Sequence, residues 1–555
     1  MFKLLKFYFG IILKFRPSEF KLYVFFSTLA AIFQTIGIIS IFPLIALFAD
    51  SSIVTENILF QEYYFLTFEN QRDLLIQLSF LFLIINTLGI LIYIIAYVYG
   101  FYLSQNIAAD LKNNLHDKIF KSSNLVDTKN RSDILNFFYT ELGRVQETIT
   151  ATIDIFQALF TLFIFIISFV LIEPKIIYFL IVLIIIYSIV FFYSKKKILS
   201  YSIKSSEIAK KINQITLYIN LALKDTLVLK LGDNFIYLLK EFQKKLINID
   251  VKTRFLINCP RFLFEIILYL TIVLTLIFFI GKENLNSQLP FLSLIAILVY
   301  KSIPIFFNLY RLLSTLNKNY SAYTNYKNNF SKIITSKKIK IIKSFKKSIV
   351  IKDLIFSYSK EKSFKFNIVI NKKDKLLIQG KSGNGKSTLL SIITGLLKAE
   401  SGSFKIDNIE ISNKSIKTSI FGYVTQNVIL FPGSLAENIC ISNKGKLTKS
   451  NIKKLRIIYD ICGLNNIVKK FDEVFNKIIE FDSPELSGGQ KQRIGIARTL
   501  FMDPKILILD EATSSLDRLS EHEIFKNILN TYKKLTLIAV SHRPIHRLFN
   551  KKIEI

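Results

Sequence analysis

Six runs of mostly apolar residues follow one another through the first half of the chain, and each is near the ~20 residues that a helix needs to cross a bilayer. They are 22–48, 74–98, 155–172, 176–192, 262–280 and 289–307, with the third and fourth joined by the turn 173–175. One such run also fits a buried helix of a soluble protein, but six in succession favour a membrane. Because only helices and closed barrels satisfy every backbone polar group in lipid, the sequence predicts an all-α transmembrane domain over residues 1–330.

The N-terminal segment 2–15 combines Lys3, Lys6 and Lys14 with an apolar face. A secretory signal peptide is the competing interpretation, but the apolar core is short and no small-residue cleavage site follows it. We therefore predict an amphipathic helix that lies at the membrane surface and leads into the first span.

The basic residues predict the orientation of the spans. The connections 104–144 and 195–254 are rich in lysine, whereas 50–73 carries mainly acidic residues. Because cytoplasmic loops carry an excess of Lys and Arg, both lysine-rich connections and both termini are predicted to be cytoplasmic. The two connections are long enough to extend the helices beyond the bilayer, with short helices expected at 122–134 and 221–235 that would touch a cytoplasmic partner.

The composition limits the possible classes of protein but does not indicate a function. The chain has 555 residues, of which 51% are apolar, and its mean hydropathy is +0.39, so several domains and a membrane component are expected. The net charge of +32 fits a nucleic-acid partner as well as lysine-rich membrane loops, so it does not decide between them. Cys259, Cys440 and Cys462 are isolated in the sequence, which predicts no disulfide framework and suits a reducing compartment for the soluble part.

The second half of the chain changes character. Residues 331–348 are basic and lack an apolar pattern, which predicts a linker, and 349–555 alternates short β-rich runs with helices, as an α/β domain does. Its most informative stretch is Gly380–Thr388, G-K-S-G-N-G-K-S-T, between the apolar runs 376–378 and 389–393. Strand, glycine turn and helix in this order predict a phosphate-binding loop.

The loop's residue types suit a nucleoside triphosphate. Glycines let the backbone approach the phosphates, and the amides and helix N-terminus supply partial positive charge. Lys386 would reach the β- and γ-phosphates, and Ser387 would ligate Mg²⁺. The alternative is an ordinary glycine-rich turn, which the complete pattern between strand and helix disfavours. The predicted ATP-contacting residues of the loop are Gly380, Lys381, Ser382, Gly383, Asn384, Gly385, Lys386, Ser387 and Thr388.

Two acidic residues follow a second aliphatic run in the same half. The segment 505–510, K-I-L-I-L-D, predicts a buried strand that places Asp510 at its carboxyl end, where it would hold Mg²⁺. Glu511 comes next, in a position to act as general base toward an attacking water. Aliphatic runs that end in Asp are common, so the run alone gives modest support for a Mg²⁺ site. A run that follows a phosphate loop in the same domain gives strong support.

Five further motifs resemble ATP-binding-cassette (ABC) proteins. These motifs are Leu486–Gln490 (L-S-G-G-Q), Tyr423–Gln426, Ser514–Asp517, Val540–Arg543 and Phe356–Tyr358. The resemblance implies that Gln426 contacts Mg²⁺ and the water, that His542 contacts the γ-phosphate and that Tyr358 stacks on adenine. Six spans ahead of one cassette resemble a type IV exporter half-transporter, so the implied fold is this membrane domain fused to an α/β nucleotide-binding domain.

The L-S-G-G-Q segment forms a second anion-binding helix start. Gly488 and Gly489 precede a predicted helix at 490–500, and one domain has no second phosphate to place there. The resemblance implies that Leu486, Ser487, Gly488, Gly489 and Gln490 meet the ATP of a second copy, with Asp517 helping across the dimer. We expect a homodimer, with a heterodimer as the alternative. The segment 479–485 departs from the family because it lacks a G-E-x-G-like run, and Lys373–Asp374 stands where a glycine is usual.

Polar residues in the spans bear on the substrate. Gln34, the Arg261–Glu265 pair after Pro260, and Lys301 before Pro304 resemble motifs of the lipid-linked oligosaccharide flippases and related polysaccharide-lipid exporters. We predict that these four side chains line a substrate cavity, although Arg261 and Glu265 also fit a snorkelling pair at the membrane boundary.

The resemblance implies ATP-driven export or flipping of a lipid-linked or amphipathic substrate across the bacterial inner membrane. The alternative substrates are other lipids, peptides and hydrophobic drugs. Alternatives of another class are an ATP-gated channel and a soluble-type ABC ATPase acting on nucleic acid. The six spans oppose the last, so membrane lipids rather than nucleic acid are the expected surroundings.

Overall fold

The computed structural model describes sixteen stretches of the chain. They are residues 2–41, 43–44, 71–121, 137–172, 176–279, 285–327, 340–342, 344–359, 362–381, 383–397, 399–411, 416–418, 420–441, 447–481, 483–541 and 548–555. The chain divides into two compact units, one formed by residues 1–119 and 128–332 and the other by 120–127 and 333–555.

The first unit is helical throughout its described part. Its helices are α1 Phe2–Phe15, α2 Pro17–Ile39, α3 Gln71–Lys121, α4 Leu142–Ile172, α5 Ile176–Leu221, α6 Leu223–Val228, α7 Gly232–Phe279, α8 Leu285–Lys318 and α9 Tyr320–Asn325. A single π-helical turn, Phe137–Glu141, precedes α4.

Three helices in the described part of the chain are long and apolar enough to cross a membrane. Within the described residues these segments are Pro17–Ile39, Arg72–Asp117 and Leu142–Ile167, and they contain most of the first three predicted spans. The other three predicted spans lie on α5, α7 and α8, but many of their side chains lie outside the described residues. The count of six spans therefore stays a prediction.

The helices extend well past the predicted spans, as expected from the long inner connections. Helix α3 has 51 residues, or about 77 Å at ~1.5 Å per residue, and α7 has 48. The short helix expected within 221–235 is present as α6. The helix expected at 122–134 and the turn at 173–175 fall outside the described residues.

Aromatic side chains tie the helices of this unit together. The Tyr23 hydroxyl of α2 donates to the Ile153 carbonyl at 3.2 Å and to Gln157 Oε1 at 3.3 Å, both on α4. A Cβ at Gly100 of α3 would lie 2.5 Å from the Tyr23 ring, so α3 can pass this close only with a glycine there. The predicted helix at 2–15 is confirmed, and α1 buries Leu4, Tyr8, Ile11 and Ile12.

The second unit is an α/β domain with two principal sheets. The strands of the parallel sheet, in spatial order, are β13 (Lys551–Glu554), β4 (Lys375–Gln379), β12 (Thr536–Val540), β11 (Ile506–Asp510) and β8 (Phe421–Val424). The antiparallel sheet has the order β3 (Lys362–Asn371), β2 (Ser348–Ser359), β5 (Ser401–Ile406) and β6 (Ile409–Glu410). Every residue of β11 and β12 is buried, as the central strands of a parallel sheet covered on both faces require.

Helices of the second unit cover these sheets. They are α10 (Lys386–Ile393), α11 (Leu435–Ile439), α12 (Lys449–Cys462), α13 (Gly488–Phe501) and α14 (Arg518–Thr531). Two short strand pairs complete the unit: β1 (Lys340–Ile342) with β7 (Ile416–Thr418), and β9 (Gly433–Ser434) with β10 (Ile478–Ile479).

Strand β1 and the turn at Lys373 are two local features of the second unit. Strand β1 lies inside the segment 331–348, which the sequence predicts to be a linker. Its pairing partner β7 is distant in sequence, so no local pattern indicates the strand. Lys373 adopts a left-handed backbone conformation with φ +71°, at the turn where the related family usually has glycine. Its backbone N–H donates to Thr536 Oγ1 at 2.8 Å, a bond that helps hold this costly conformation.

Candidate nucleotide site

The phosphate loop forms between β4 and α10, as the sequence predicted. Gly380, Gly383 and Gly385 have φ values of +153°, +89° and +88°, which glycine adopts at little cost. A Cβ at Gly385 would lie 2.6 Å from the Phe364 ring, so this position also lacks space for a side chain. Ser382 falls outside the described residues.

Lys386 lies at the centre of the loop. Its side chain is buried, with 7% of the residue exposed, and Nζ donates to the carbonyls of Gly380 at 2.8 Å and Lys381 at 3.1 Å. An ammonium has three donors, so one more remains for an anion in the loop. The adjacent Asn384 donates from Nδ2 to the Ile555 carbonyl at 2.8 Å, which fixes the loop to the end of β13.

Asp510 ends the buried strand β11 and meets two hydroxyls. Ser387 Oγ lies 3.3 Å from Asp510 Oδ1, and the Tyr423 hydroxyl donates to Oδ2 at 2.7 Å. Burial raises the pKa of the Asp510 carboxyl, and the hydrogen bonds from Tyr423 and Ser387 oppose this effect. The structure therefore brings the predicted pair Ser387 and Asp510 together.

Tyr423 is a site residue whose role the sequence does not indicate. It lies on β8 opposite Ile508 of the neighbouring strand β11. A partly buried tyrosine in a parallel strand needs a partner for its hydroxyl. The sequence therefore indicates that the Tyr423 hydroxyl needs a hydrogen-bond partner. Only the strand order, with β8 beside β11, identifies Asp510 as that partner.

Glu511 and Gln426 form the third part of the site. Gln426 Nε2 donates to Glu511 Oε2 at 2.9 Å, so the two residues predicted to hold a water lie together. Glu511 has φ +51°, a conformation that costs a residue with a side chain ~1–2 kcal/mol. Such strain at an acidic residue is common where the backbone must aim a side chain into a site.

The L-S-G-G-Q segment begins helix α13 with a capping box. Ser487 Oγ accepts from the Gln490 N–H at 3.2 Å, and Gln490 Oε1 accepts from the Ser487 N–H at 2.9 Å. Gln490 Nε2 donates to the Asn466 carbonyl at 2.9 Å. Within the described part of the chain, the side-chain hydrogen bonds of residues 486–490 thus go to one another and to Asn466, and none goes to the phosphate loop.

The residues after Glu511 pack on the start of α13. Gln492 donates to Ser514 Oγ at 3.2 Å and accepts from the Ser515 N–H at 3.0 Å. A Cβ at Gly489 would lie 3.1 Å from the Ser515 carbonyl oxygen. Asp517 caps α14 by accepting from the Ser520 N–H at 3.0 Å, and that backbone hydrogen bond lowers the pKa of its carboxyl.

Besides Ser382, two predicted nucleotide-site residues lie wholly or in part outside the described residues. His542 lies outside the described residues, and the Tyr358 side chain does as well, although its backbone belongs to β2. Their roles stay predictions.

The structure describes the side chains of three of the four residues predicted to line a substrate cavity, and it does not bring these three together. Gln34 borders a cavity of about 350 Å³ in the helical unit. Arg261 and Glu265 instead form an ion pair of 2.9 Å on α7, with side chains 59% and 39% exposed, which fits the snorkelling alternative better than the cavity assignment. The Lys301 side chain lies outside the described residues. The cavity residues are Gln34, Tyr93, Tyr97, Asp154, Gln157, Ala158, Thr161, Pro304, Ile305, Asn308 and Arg311.

Part of the second unit matches a known protein family. Residues 364–514 match the ABC transporter family. The chain contains an ABC transporter ATPase domain. This cassette holds the phosphate loop, Gln426, the L-S-G-G-Q segment, Asp510 and Glu511 within the matched residues.

Relatives of the cassette include several transporters. The chain is 37% identical over 182 residues to the ATP-dependent permease MDL1 of Candida albicans, covering 32% of this chain and 26% of that protein. It is 35% identical over 170 residues to the ATP-dependent lipid A-core flippase of Aliivibrio fischeri, covering 30% and 29%. The alpha-hemolysin translocation ATP-binding protein HlyB of Escherichia coli O157:H7 is 34% identical over 208 residues, covering 37% and 29%. The matches thus span about a quarter to a third of these relatives.

A solved structure matches nearly the whole chain. A bacterial Atm1-family ABC exporter with ATP bound aligns with a TM-score of 0.76 at 16% identity, covering 96% of this chain and 91% of that chain. The fold is therefore that of an ABC exporter, with a helical membrane domain and a nucleotide-binding cassette.

Proposed function

We propose that this chain is one half of an ATP-driven exporter or flippase whose two cassettes close on ATP. The observation that carries the proposal is the grouping of Ser387, Asp510, Gln426 and Glu511 beside a complete phosphate loop. The hydroxyl and carboxylate oxygens of Ser387 and Asp510 lie 3.3 Å apart, and hard oxygen ligands of this kind suit Mg²⁺. Bound there with help from Gln426, Mg²⁺ would neutralise charge on the phosphates.

Each remaining residue of the cluster has a distinct proposed role. Lys386 offers its free N–H to the β- and γ-phosphates. Glu511 accepts a proton from the attacking water, which Gln426 positions through the hydrogen bond it already makes to Glu511. For His542 we propose contact with the γ-phosphate, and for Tyr358 stacking on adenine.

The second half of the site is proposed to come from a second copy of the chain. The start of α13 presents backbone N–H groups and the positive end of a helix dipole. A partner's ATP would satisfy this helix start, and Asp517 would lie at the same interface. A homodimer follows if both copies are identical, and a heterodimer if a related chain supplies one of them.

Changing Tyr423 to Phe tests the Mg²⁺ assignment. The substitution removes the 2.7 Å hydrogen bond to Asp510 and keeps the ring. Because partners that orient a metal ligand are worth about 10–100-fold in affinity, we expect the Mg²⁺ concentration for half-maximal ATPase activity to rise by about tenfold. Tyr459→Phe, which removes a hydroxyl bonded to the Val468 carbonyl, is the control. An unchanged Mg²⁺ dependence in Tyr423→Phe would contradict the assignment.

For the substrate we propose a lipid-linked oligosaccharide or polysaccharide precursor moved across the bacterial inner membrane. The resemblance at Gln34, Pro260–Glu265 and Lys301 supports it, as does a flippase among the relatives. We further propose a membrane domain over 1–330, a connecting segment over 331–348 and the cassette over 349–555, with cytoplasmic termini. A permease and a hemolysin translocation protein among the relatives make other lipids, drugs and peptides the competing substrates.

Reconstitution tests the transport proposal. Purified chain in liposomes should hydrolyse ATP faster, and should flip, when a polyprenyl-linked oligosaccharide is present, and less so with phospholipid alone. Glu511→Gln liposomes are the control for energy coupling. Stimulation only by unrelated amphipathic drugs would overturn the substrate class. ATP-dependent ionic current without movement of the lipid would favour a channel, and recovery of the chain in the soluble fraction without detergent would contradict a transporter.

A further inference from the structure

The cavity beside Gln34 contains charged groups that the sequence reasoning did not select. Four helices border it: α2 through Gln34, α3 through Tyr93 and Tyr97, α4 through Asp154, and α8 through Arg311. Asp154 lies within the apolar stretch Leu142–Ile167. It was missed because the predicted third span began one residue later, at 155.

The negative charge of Asp154 and the positive charge of Arg311 offset one another in this cavity. The two charges interact electrostatically, and Arg311 Nη2 also donates to Asn308 Oδ1 at 2.9 Å. Asp154 is only partly exposed. Because an ionised side chain facing lipid is costly, intramembrane charges normally face one another or a water-filled cavity and mark a functional site. The cavity therefore has a polar, charge-balanced interior.

Flat polar and aromatic groups make up much of the remaining wall. Gln34, Gln157 and Asn308 supply amides, each of which both donates and accepts hydrogen bonds. Tyr93 and Tyr97 stack with ring centroids 6.5 Å apart and an interplanar angle of 18°. Their exposed fractions are 37% and 57%, so ring surface remains available to a ligand. The volume of about 350 Å³ is in the lower part of the ~300–1,000 Å³ range of ligand pockets.

We propose that this cavity binds the uncharged, polyhydroxylated head group of a glycolipid. Sugar hydroxyls both donate and accept hydrogen bonds, so they can pair with the amides, the carboxylate and the guanidinium of the cavity. The apolar C–H face of a sugar can pack on the tyrosine rings. A polyphosphate head group would need an excess of positive charge, and the described side chains that line the cavity include one basic residue, Arg311, and one acid, Asp154. A cationic drug would suit Asp154 and the tyrosines, but Arg311 repels it. The inference rests on the proposed transport function and assigns this cavity to the sugar part of its substrate.

Glycolipid titration tests the proposal with the full chain in lipid nanodiscs. The probes are diglucosyl diacylglycerol, phosphatidic acid and a quaternary-ammonium amphiphile, each titrated against ATPase stimulation. We expect diglucosyl diacylglycerol to stimulate at the lowest concentration. Tyr97→Leu and Asp154→Asn should each raise the half-maximal glycolipid concentration by about tenfold, because each removes one main contact with the head group.

Tyr102→Leu is the matched control, since Tyr102 lies on the same helix, is 58% exposed and does not border the cavity. Its glycolipid titration should equal that of the unaltered chain. Equal stimulation by phosphatidic acid or the cationic amphiphile, or equal glycolipid titrations for Tyr97→Leu and Tyr102→Leu, would overturn the inference while leaving transport intact. If diglucosyl diacylglycerol does not stimulate the unaltered chain while a polyprenyl-linked oligosaccharide does, the inference fails and transport stands; if neither stimulates it, the transport proposal fails as well.

Discussion

Replacing Glu511 by glutamine is expected to lower ATP turnover by at least ~100-fold, the contribution typical of a general base, with ATP affinity nearly unchanged. Glutamine has the same shape, and its side-chain oxygen can still accept the hydrogen bond from Gln426 that Glu511 accepts at 2.9 Å. It cannot accept a proton from water, because an amide is not basic. The measurement pairs phosphate release under single-turnover conditions with equilibrium ATP binding.

Glu523→Gln supplies the comparison for this experiment. Glu523 is exposed on α14 and has no proposed part in catalysis, so its turnover should match that of the unaltered chain. Undiminished turnover in Glu511→Gln would remove Glu511 from the role of base. Loss of ATP binding in that variant would instead assign Glu511 to nucleotide binding.

Changing Lys386 to Ala is expected to weaken ATP binding by about 100-fold or more. The substitution removes a buried ammonium that would form charge-assisted hydrogen bonds to the phosphates, each worth ~1.5–3 kcal/mol. It also removes the two bonds to the Gly380 and Lys381 carbonyls, which hold the loop around the anion site. Binding of a fluorescent ATP analogue to the detergent-solubilised chain measures the loss.

The control for Lys386 is Lys453→Ala, because Lys453 is exposed on α12 and carries the same charge away from the loop. Its ATP affinity should stay unchanged. If Lys386→Ala binds ATP as tightly as Lys453→Ala does, the loop does not bind phosphate in the way described here.

The phosphate loop was predictable from sequence because its determinants are local. The glycines, the lysine and the helix start all lie within nine consecutive residues, and the positive φ values at Gly380, Gly383 and Gly385 follow from the glycine pattern itself. The position of Asp510 was also predictable, since a buried aliphatic strand that ends in an acid places it at the sheet edge where ligands bind.

Contacts between segments that are distant in sequence were not predictable from local patterns. The bond between Tyr423 and Asp510 depends on β8 lying beside β11, which no local pattern specifies. Strand β1 was not predicted because it lies in a basic segment and pairs with β7, which is distant in sequence. Arg261 and Glu265 were correctly placed on one helix face, but a helical pattern does not say whether that face borders a cavity.

The composite ATP site is the central claim, and complementation between two variant chains tests it most directly. Chains carrying Lys386→Ala have a defective phosphate loop, and chains carrying Gly489→Asp have a defective helix start, because a carboxylate there repels phosphate. Each variant alone should be inactive. In a mixed dimer, one site combines both defects and the other combines neither.

Co-expressing the two variants and measuring ATPase activity of the purified mixture gives the decisive result. We predict recovery of about a quarter of the unaltered turnover, because half of randomly formed dimers are mixed and each has one intact site of two. A chain carrying both substitutions, co-expressed with the Lys386→Ala chain, should give no recovery. If the two single variants also fail to complement each other although mixed dimers form, the ATP site is not shared between two copies.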